Sequence, residues 1–167
     1  MCELLHTGNN MPNVSHKASS FLALSFCLLL VLSGCAFPRI IVLEDPLTPE
    51  EHLDLGVAYE KNGELGNAIK EYELAAKKLA VAYLYLGNAH FHNNEFNEAE
   101  QCYKLAIRKE AFNADAYNNL AWLYYVKEEN LNEAEGLALK ALELNPSKSN
   151  VYGDTLEKIR ELRKTVE

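Results

Sequence analysis

The sequence predicts an all-α protein built of stacked helix pairs, and three observations carry that prediction. From Pro49 onward, apolar residues recur at the 3.6-residue period of a helix buried along one face. The pattern then repeats itself: HLDLGVAYEKNGELGNAIKEYELA begins at His52, YLYLGNAHFHNNEFNEAEQCYKLA at Tyr83 and YNNLAWLYYVKEENLNEAEGLALKALELNP at Tyr117. Their Leu55-Gly56, Leu86-Gly87 and Leu120-Ala121 pairs are spaced 31 and then 34 residues apart. Composition agrees, since 49% of the 167 residues are hydrophobic and only 8 are Gly and 5 Pro, which excludes a disordered or linker chain. A formal charge of −8 lacks the basic footprint of a phosphate-backbone binder and excludes nucleic acid as the expected partner.

The first 34 residues read as an address. They hold one Lys (Lys17) and one acid (Glu3), so the charge lies beyond them. Phe21–Leu32 (FLALSFCLLLVL) is twelve residues without a charge, too short for a span that needs about 20 apolar residues. It suits the hydrophobic region of a secretory signal, with Lys17 as its positive flank. The run ends in Leu32-Ser33-Gly34-Cys35, which resembles the lipobox of bacterial lipoproteins. That resemblance implies cleavage before Cys35 and a diacylglycerol thioether on its sulfur, with acylation of the new amino group. At about 0.8 kcal/mol per buried methylene, three acyl chains would hold the protein on its membrane. Ala36, in place of an Asp, resembles the outer-membrane sorting pattern, so the expected location is the periplasmic face of the outer membrane. Met11 would give a shorter leader than Met1. Cys102 is then the one unmodified cysteine from Cys35 onward, which leaves no intrachain disulfide.

Residues 36–48 (AFPRIIVLEDPLT) form a tether reaching at most about 45 Å, with Pro38 and Pro46 around the apolar Ile40–Leu43. From residue 49 each repeated residue has a packing reason. Gly56, Gly87 and Ala121 let a second helix approach a first, and large residues one turn either side fill the gap: His52 and Tyr59, Tyr83 and His90, Tyr117 and Tyr124. On the second helices Ala68, Ala99 and Ala134 permit close crossing, while Tyr72 and Tyr103 act as wedges, with Ala75, Ala106 and Ala141 beyond them. Turns fall at Asn62-Gly63, Asn93-Asn94 and Glu129-Asn130, and Asn145-Pro146 stops the third pair.

Together these residues resemble the tetratricopeptide repeat (TPR), a 34-residue helix–turn–helix. The resemblance implies a right-handed superhelix of three repeats, 49–79, 80–113 and 114–148, closed by a polar capping helix over 149–167. Three departures stand out. The first junction, Ala76–Ala80, is three residues short, so a compressed turn is expected. His90 stands where the motif favours Tyr. In the third repeat the wedge position falls on Ala138, so Leu137 or Leu139 is expected to turn inward.

Catalytic chemistry is sparse. His90 and His92 point about 200° apart on a helix and cannot share a metal, and His52 and His90 occupy core positions. Cys102 lacks an orienting group or oxyanion loop, and there is no P-loop, GxGxxG, GxSxG or HExxH. No enzyme activity, metal or cofactor is expected, apart from the covalent lipid on Cys35.

Each first helix also carries a second stripe, one residue from its packing stripe: Leu53 and Val57; Leu84, Asn88 and Phe91; Asn118, Trp122 and Tyr125. Spacing of i, i+4, i+7 puts each set on one face. By the resemblance, first helices line the concave wall, so these residues form the expected groove, part of each stripe also packing on the neighbouring first helix. Phe91, Trp122 and Tyr125 exceed what repeat packing needs, and aromatic anchors mark interface hot spots. Some TPR proteins grip a terminal carboxylate with Lys and Asn in this groove. Here Leu53 and Leu84 stand where Lys would be wanted, so the expected ligand is a mainly apolar, or basic, peptide segment hydrogen-bonded by Asn88 and Asn118. The expected function is a membrane-anchored, non-enzymatic adaptor for a protein or peptide partner, with a general look shared with pilotin-like lipoproteins and adaptors of peptidoglycan hydrolases. Competing classes are a self-assembling structural subunit pairing through its first-repeat edge and an enzyme using Cys102.

Overall fold

The computed structural model describes residues 45–166; the signal, Cys35 and most of the tether lie outside the described residues. Seven α-helices follow in order: α1 (Pro49–Lys61), α2 (Leu65–Ala76), α3 (Ala82–His92), α4 (Phe96–Lys109), α5 (Ala114–Lys127), α6 (Leu131–Leu144) and α7 (Ser149–Val166). A 3₁₀ turn, Pro146–Lys148, leads into α7. Consecutive helices pair as hairpins, α1 with α2, α3 with α4 and α5 with α6, and α7 closes the far end against α6 and α5. The described chain is thus three helix–turn–helix repeats and a cap, with no strand among the described residues.

Local chemistry sets the helix ends. Thr48 starts α1 with a capping box, accepting from the Glu51 amide while the Glu51 carboxylate accepts from the Thr48 amide, and Pro49 supplies the first helical residue. Asn113 caps α5 by accepting from the Ala116 amide. Gly63 (φ 79°) and Asn94 (φ 60°) hold equivalent left-handed positions in the first two intra-repeat turns. The third turn uses two such residues, Glu128 (φ 54°) and Asn130 (φ 50°), though its length is unchanged. The extra residue of that repeat is taken up by α5, which continues one position further past its small residue than α1 or α3 does.

The short first junction resolves differently from the expected compressed turn. The link Lys77–Val81 has five residues, one more than Glu110–Asn113 between the next two repeats. The missing residues come out of the helices: α2 has 12 residues and α3 has 11, against 14 each in α4, α5 and α6. The link turns on itself through Leu79 N to Ala75 O (2.9 Å) and Tyr83 N to Ala80 O (3.2 Å), so the unravelled ends keep their backbone partners.

The core is a row of clusters dominated by alanines, with one tyrosine wedged into each of the first two hairpins. A Cβ added to Gly56 would stand 2.5 Å from Tyr72 Cε1, and one on Gly87 2.6 Å from Tyr103 Cε1. Glycine and tyrosine are therefore reciprocal choices. In the third hairpin both are replaced at once: Ala121 and Ala138 are fully buried, and Leu137 packs on the same cluster with Leu156 and Ile159 of α7. Leu139 remains 44% exposed, so of the two leucines only Leu137 turns inward. Each buried tyrosine hydroxyl finds an acceptor: Tyr72 donates to Glu60 (2.7 Å), Tyr124 to Glu100 (3.1 Å) and Tyr152 to Asp115 (2.8 Å).

Two polar clamps tie the ends. His52 is buried and binds Glu71 (2.7 Å) through Nδ1 and Asp45 (3.2 Å) through Nε2, joining the first described residue to α1 and α2. At the far end Glu135 of α6 receives Arg160 Nε at 2.7 Å and Arg163. The cap's outer charges are therefore not all solvated.

Candidate functional site

The first helices α3 and α5 lie side by side, and the second-stripe residues meet at their seam. Tyr103, the wedge from α4, reaches through to donate its hydroxyl to Asn88 Oδ1 at 3.0 Å. Asn119 Nδ2 donates to the same oxygen at 2.8 Å. With two donors on it, Asn88 Oδ1 is saturated. The Asn88 amide nitrogen and the Asn119 carboxamide oxygen have no partner among the described residues. The bonded carboxamide pair thus keeps one unused donor and one unused acceptor, the two functions that a peptide unit can answer.

Aromatic rings flank this amide pair. Asn88, Phe91, His92, Tyr103, Asn119 and Trp122 enclose a recess of about 260 Å³. Phe91 sits edge-on to His92 (5.9 Å between centroids, 77°) and tilts against Phe96 (5.6 Å). Trp122 lies against Tyr125 at 4.9 Å and 33°, which fixes both rings. The site is electrically quiet. Burial pushes the Tyr103 hydroxyl well above its usual range, so it stays a donor at any physiological pH.

The expected groove residues are placed in three ways. Asn88, Phe91 and Trp122 converge on the recess, with Tyr125 behind Trp122. Leu53 and Val57 are half-buried against Ala68, Tyr72, Leu86 and Ala89, and Leu84 packs on the third-repeat core. Asn118 is 7% exposed, lies toward α7, and keeps its Oδ1 buried without a partner. Asn119, His92 and Tyr103 join the recess without having been expected there. No repeat spacing marks Asn119: the 34-residue offset between the second and third repeats pairs Asn88 with Trp122, not with Asn119.

Cys102 is buried, and burial together with Glu73 and Glu98 pushes its thiol up to about 11, so it is a protonated core residue at neutral pH. A second recess of about 500 Å³ lies between α4 and α6, floored by Leu105, Ile107, Leu120 and Leu137. Of the two cations that line it, Lys104 and Arg108, Lys104 is already held by Glu100 at 2.8 Å, and no pair of carboxamides lines it.

Comparison with known proteins agrees with this architecture. The model of the tetratricopeptide repeat matches residues 53–112 and 84–149. No curated protein matches the chain. Among solved structures, the Arabidopsis OM64 TPR domain is 22% identical with a TM-score of 0.62, covering 68% of this chain and 94% of its own. The TPR2B domain of yeast Sti1, solved in complex with pHsp70, is 22% identical with a TM-score of 0.63, covering 68% and 96%. The first TPR of Spaghetti (RPAP3), bound to the HSP90 peptide SRMEEVD, is 24% identical with a TM-score of 0.64, covering 72% and 96%. With three hairpins of matching register and a family model spanning 53–149, this chain belongs to the tetratricopeptide-repeat family.

Proposed function

We propose that the protein is a lipid-anchored adaptor that holds a short, mainly apolar peptide segment of a partner protein in the seam between α3 and α5. The observation that carries the reading is the bonded Asn88–Asn119 carboxamide pair, whose Asn88 Nδ2 and Asn119 Oδ1 have no partner among the described residues, in a recess that Phe91 and Trp122 also line. Such a pair binds a peptide unit without reading its side chains, while the rings supply desolvated contact area. Two of the similar structures are named as complexes with pHsp70 and with an HSP90 peptide, which supports a peptide partner here. The outer face of α1 exposes Glu50, Glu51, Asp54 and Lys61, a polar end that favours a solvated terminus over pairing with a second copy. The anchor rests on Leu32-Ser33-Gly34-Cys35, and the adaptor would work at the cell envelope, in secretion, pilus or wall assembly.

Trp122, the chain's one tryptophan, provides the test. Peptides that bind the full chain in detergent are expected to change its fluorescence and to lose about 1–3 kcal/mol of affinity in Trp122→Ala. Binding that leaves the fluorescence unchanged and is indifferent to the substitution would refute the groove. Cys35→Ser is expected to abolish labelling of the chain by radioactive palmitate in cells, and a wild-type chain that takes up no label refutes the anchor.

A further inference from the structure

Beyond Trp122 the seam opens into a second recess of about 610 Å³, between α5 and the first turns of α7. Its walls include Asn118, Asn119, Trp122, Asn150, Asp154 and Thr155. Neither this recess nor the one lined by Asn88 and Phe91 has a Lys or Arg in its walls, and three observations describe what it offers. Lys158 places its ammonium 5.3 Å from the Trp122 ring centroid while donating to Asp154 at 2.6 Å, so a cation already sits between an aromatic face and a carboxylate. Both partners of that pair are about half exposed, Lys158 at 41% and Asp154 at 58%, so the ammonium can leave for solvent. The Thr155 hydroxyl donates back to the Val151 carbonyl, Asn119 Oδ1 receives no donor among the described residues, and Asn118 Oδ1 is buried out of reach. The recess offers the Asp154 carboxylate, the Asn119 carboxamide oxygen and an aromatic face, in a chain of formal charge −8.

We propose that this recess takes a basic side chain of the bound peptide, arginine in preference to lysine, in exchange for Lys158. A guanidinium lying on Trp122 directs its fork of N–H donors at Asp154 and toward the Asn119 carboxamide oxygen, a geometry that a single ammonium does not fill. The polarity is opposite to that of SRMEEVD, with its two glutamates and an aspartate. The inference rests on the groove reading above and names the chemistry of the residue that follows the segment held by Asn88 and Asn119.

Three peptide pools test it, each random among apolar residues and fixed at the centre with arginine, norleucine or glutamate. Binding to the full chain in detergent is read by Trp122 fluorescence and by anisotropy of the labelled pool. The arginine pool is expected to bind about five- to tenfold more tightly than the norleucine pool, with glutamate weakest. That gap closes in Asp154→Asn, and Lys158→Ala, which removes the resident cation, widens it. Arginine and norleucine pools that perturb Trp122 with equal affinity overturn the inference and leave the groove standing. An Asp154→Asn variant that weakens both pools alike also overturns it, since the carboxylate would then be structural. If no pool perturbs Trp122, the groove and this subsite fall together.

Discussion

Replacing Gly87 by Ala tests the wedge and the groove in a single substitution. A helix interior ordinarily welcomes the change, which gains about 1 kcal/mol in helix preference. Here the new Cβ would lie 2.6 Å from Tyr103 Cε1, 2.7 Å from Cδ1 and 3.3 Å from the Cys102 Cβ. Carbon atoms rest about 3.5–4.0 Å apart, so the Tyr103 ring must retreat by about 1 Å. It is 2% exposed and its hydroxyl is tied to Asn88, so the retreat disturbs its packing and that bond, and overpacking of this kind costs about 1–3 kcal/mol. The net expectation is a loss of about 1–2 kcal/mol. Gly136 in α6 is the control, because a Cβ added there would meet nothing within 4 Å. There the same substitution should stabilise by about 0.5–1 kcal/mol. Urea unfolding followed by helical circular dichroism should place the two midpoints on opposite sides of the wild type with unchanged slope. Because Tyr103 donates to Asn88, the Gly87 variant should also weaken peptide binding, whereas the Gly136 variant should not. A Gly87→Ala chain as stable as Gly136→Ala would refute the wedge. A double variant adding Tyr103→Ala, a change that by itself opens a cavity costing about 3–5 kcal/mol, should lose less than the sum of the two single changes, with a coupling of about 1 kcal/mol or more.

The remaining expectations concern ionisable groups and the amide pair. Burial alone would raise the Glu100 carboxyl, but hydrogen bonds from Lys104 and Tyr124 hold it below its ordinary value of 4.5. Its stabilising contribution is therefore complete above pH 4.5 and disappears as the pH falls through the lower folded value. Glu100→Gln should be less stable than wild type at pH 7 and indistinguishable from it in strong acid; a deficit that persists in acid would assign the loss to packing. The Cys102 thiol, pushed up to about 11, should resist alkylation at neutral pH until denaturant opens the repeat, and rapid labelling of the native chain at that site would refute its burial. Asn88→Ala leaves the Tyr103 hydroxyl without its acceptor and should cost about 1–3 kcal/mol of stability, whereas Asn119→Ala should chiefly weaken peptide binding.

The repeat register was legible because its signal is pairwise. Gly56 and Tyr72 are 16 residues apart, as are Gly87 and Tyr103, and each pair makes sense only if two helices cross at that point. In the third repeat Ala121 and Ala138 are 17 apart, and the sequence showed the anomaly without showing which leucine would answer it, because that depends on α7 delivering Leu156 and Ile159 to the same cluster. The short first junction misled for a related reason: a residue count cannot say whether a deletion shortens a turn or the helices that enter it. Only the backbone hydrogen bonds around Leu79 decide that. For the candidate site a shift of one residue matters, because one residue on a helix is about 100° of rotation. Asn88, Phe91 and Trp122 line the recess, and each was placed by the periodicity of its own helix, whereas Leu84 of the same stripe packs into the core. Asn118 turned out to face the cap, and Asn119 took the place beside Asn88, because α7 covers the end of α5 and α7 does not repeat the pattern that precedes it. Lys158 escaped for the same reason: its i, i+4 partner Asp154 marks an ordinary solvated helix face, and nothing local places Trp122 beneath it. Contacts within a repeat are encoded by spacing, whereas contacts made by the element that ends the repeats are encoded by shape alone. The part of the groove bounded by the cap is therefore the part whose ligand preference had to come from geometry.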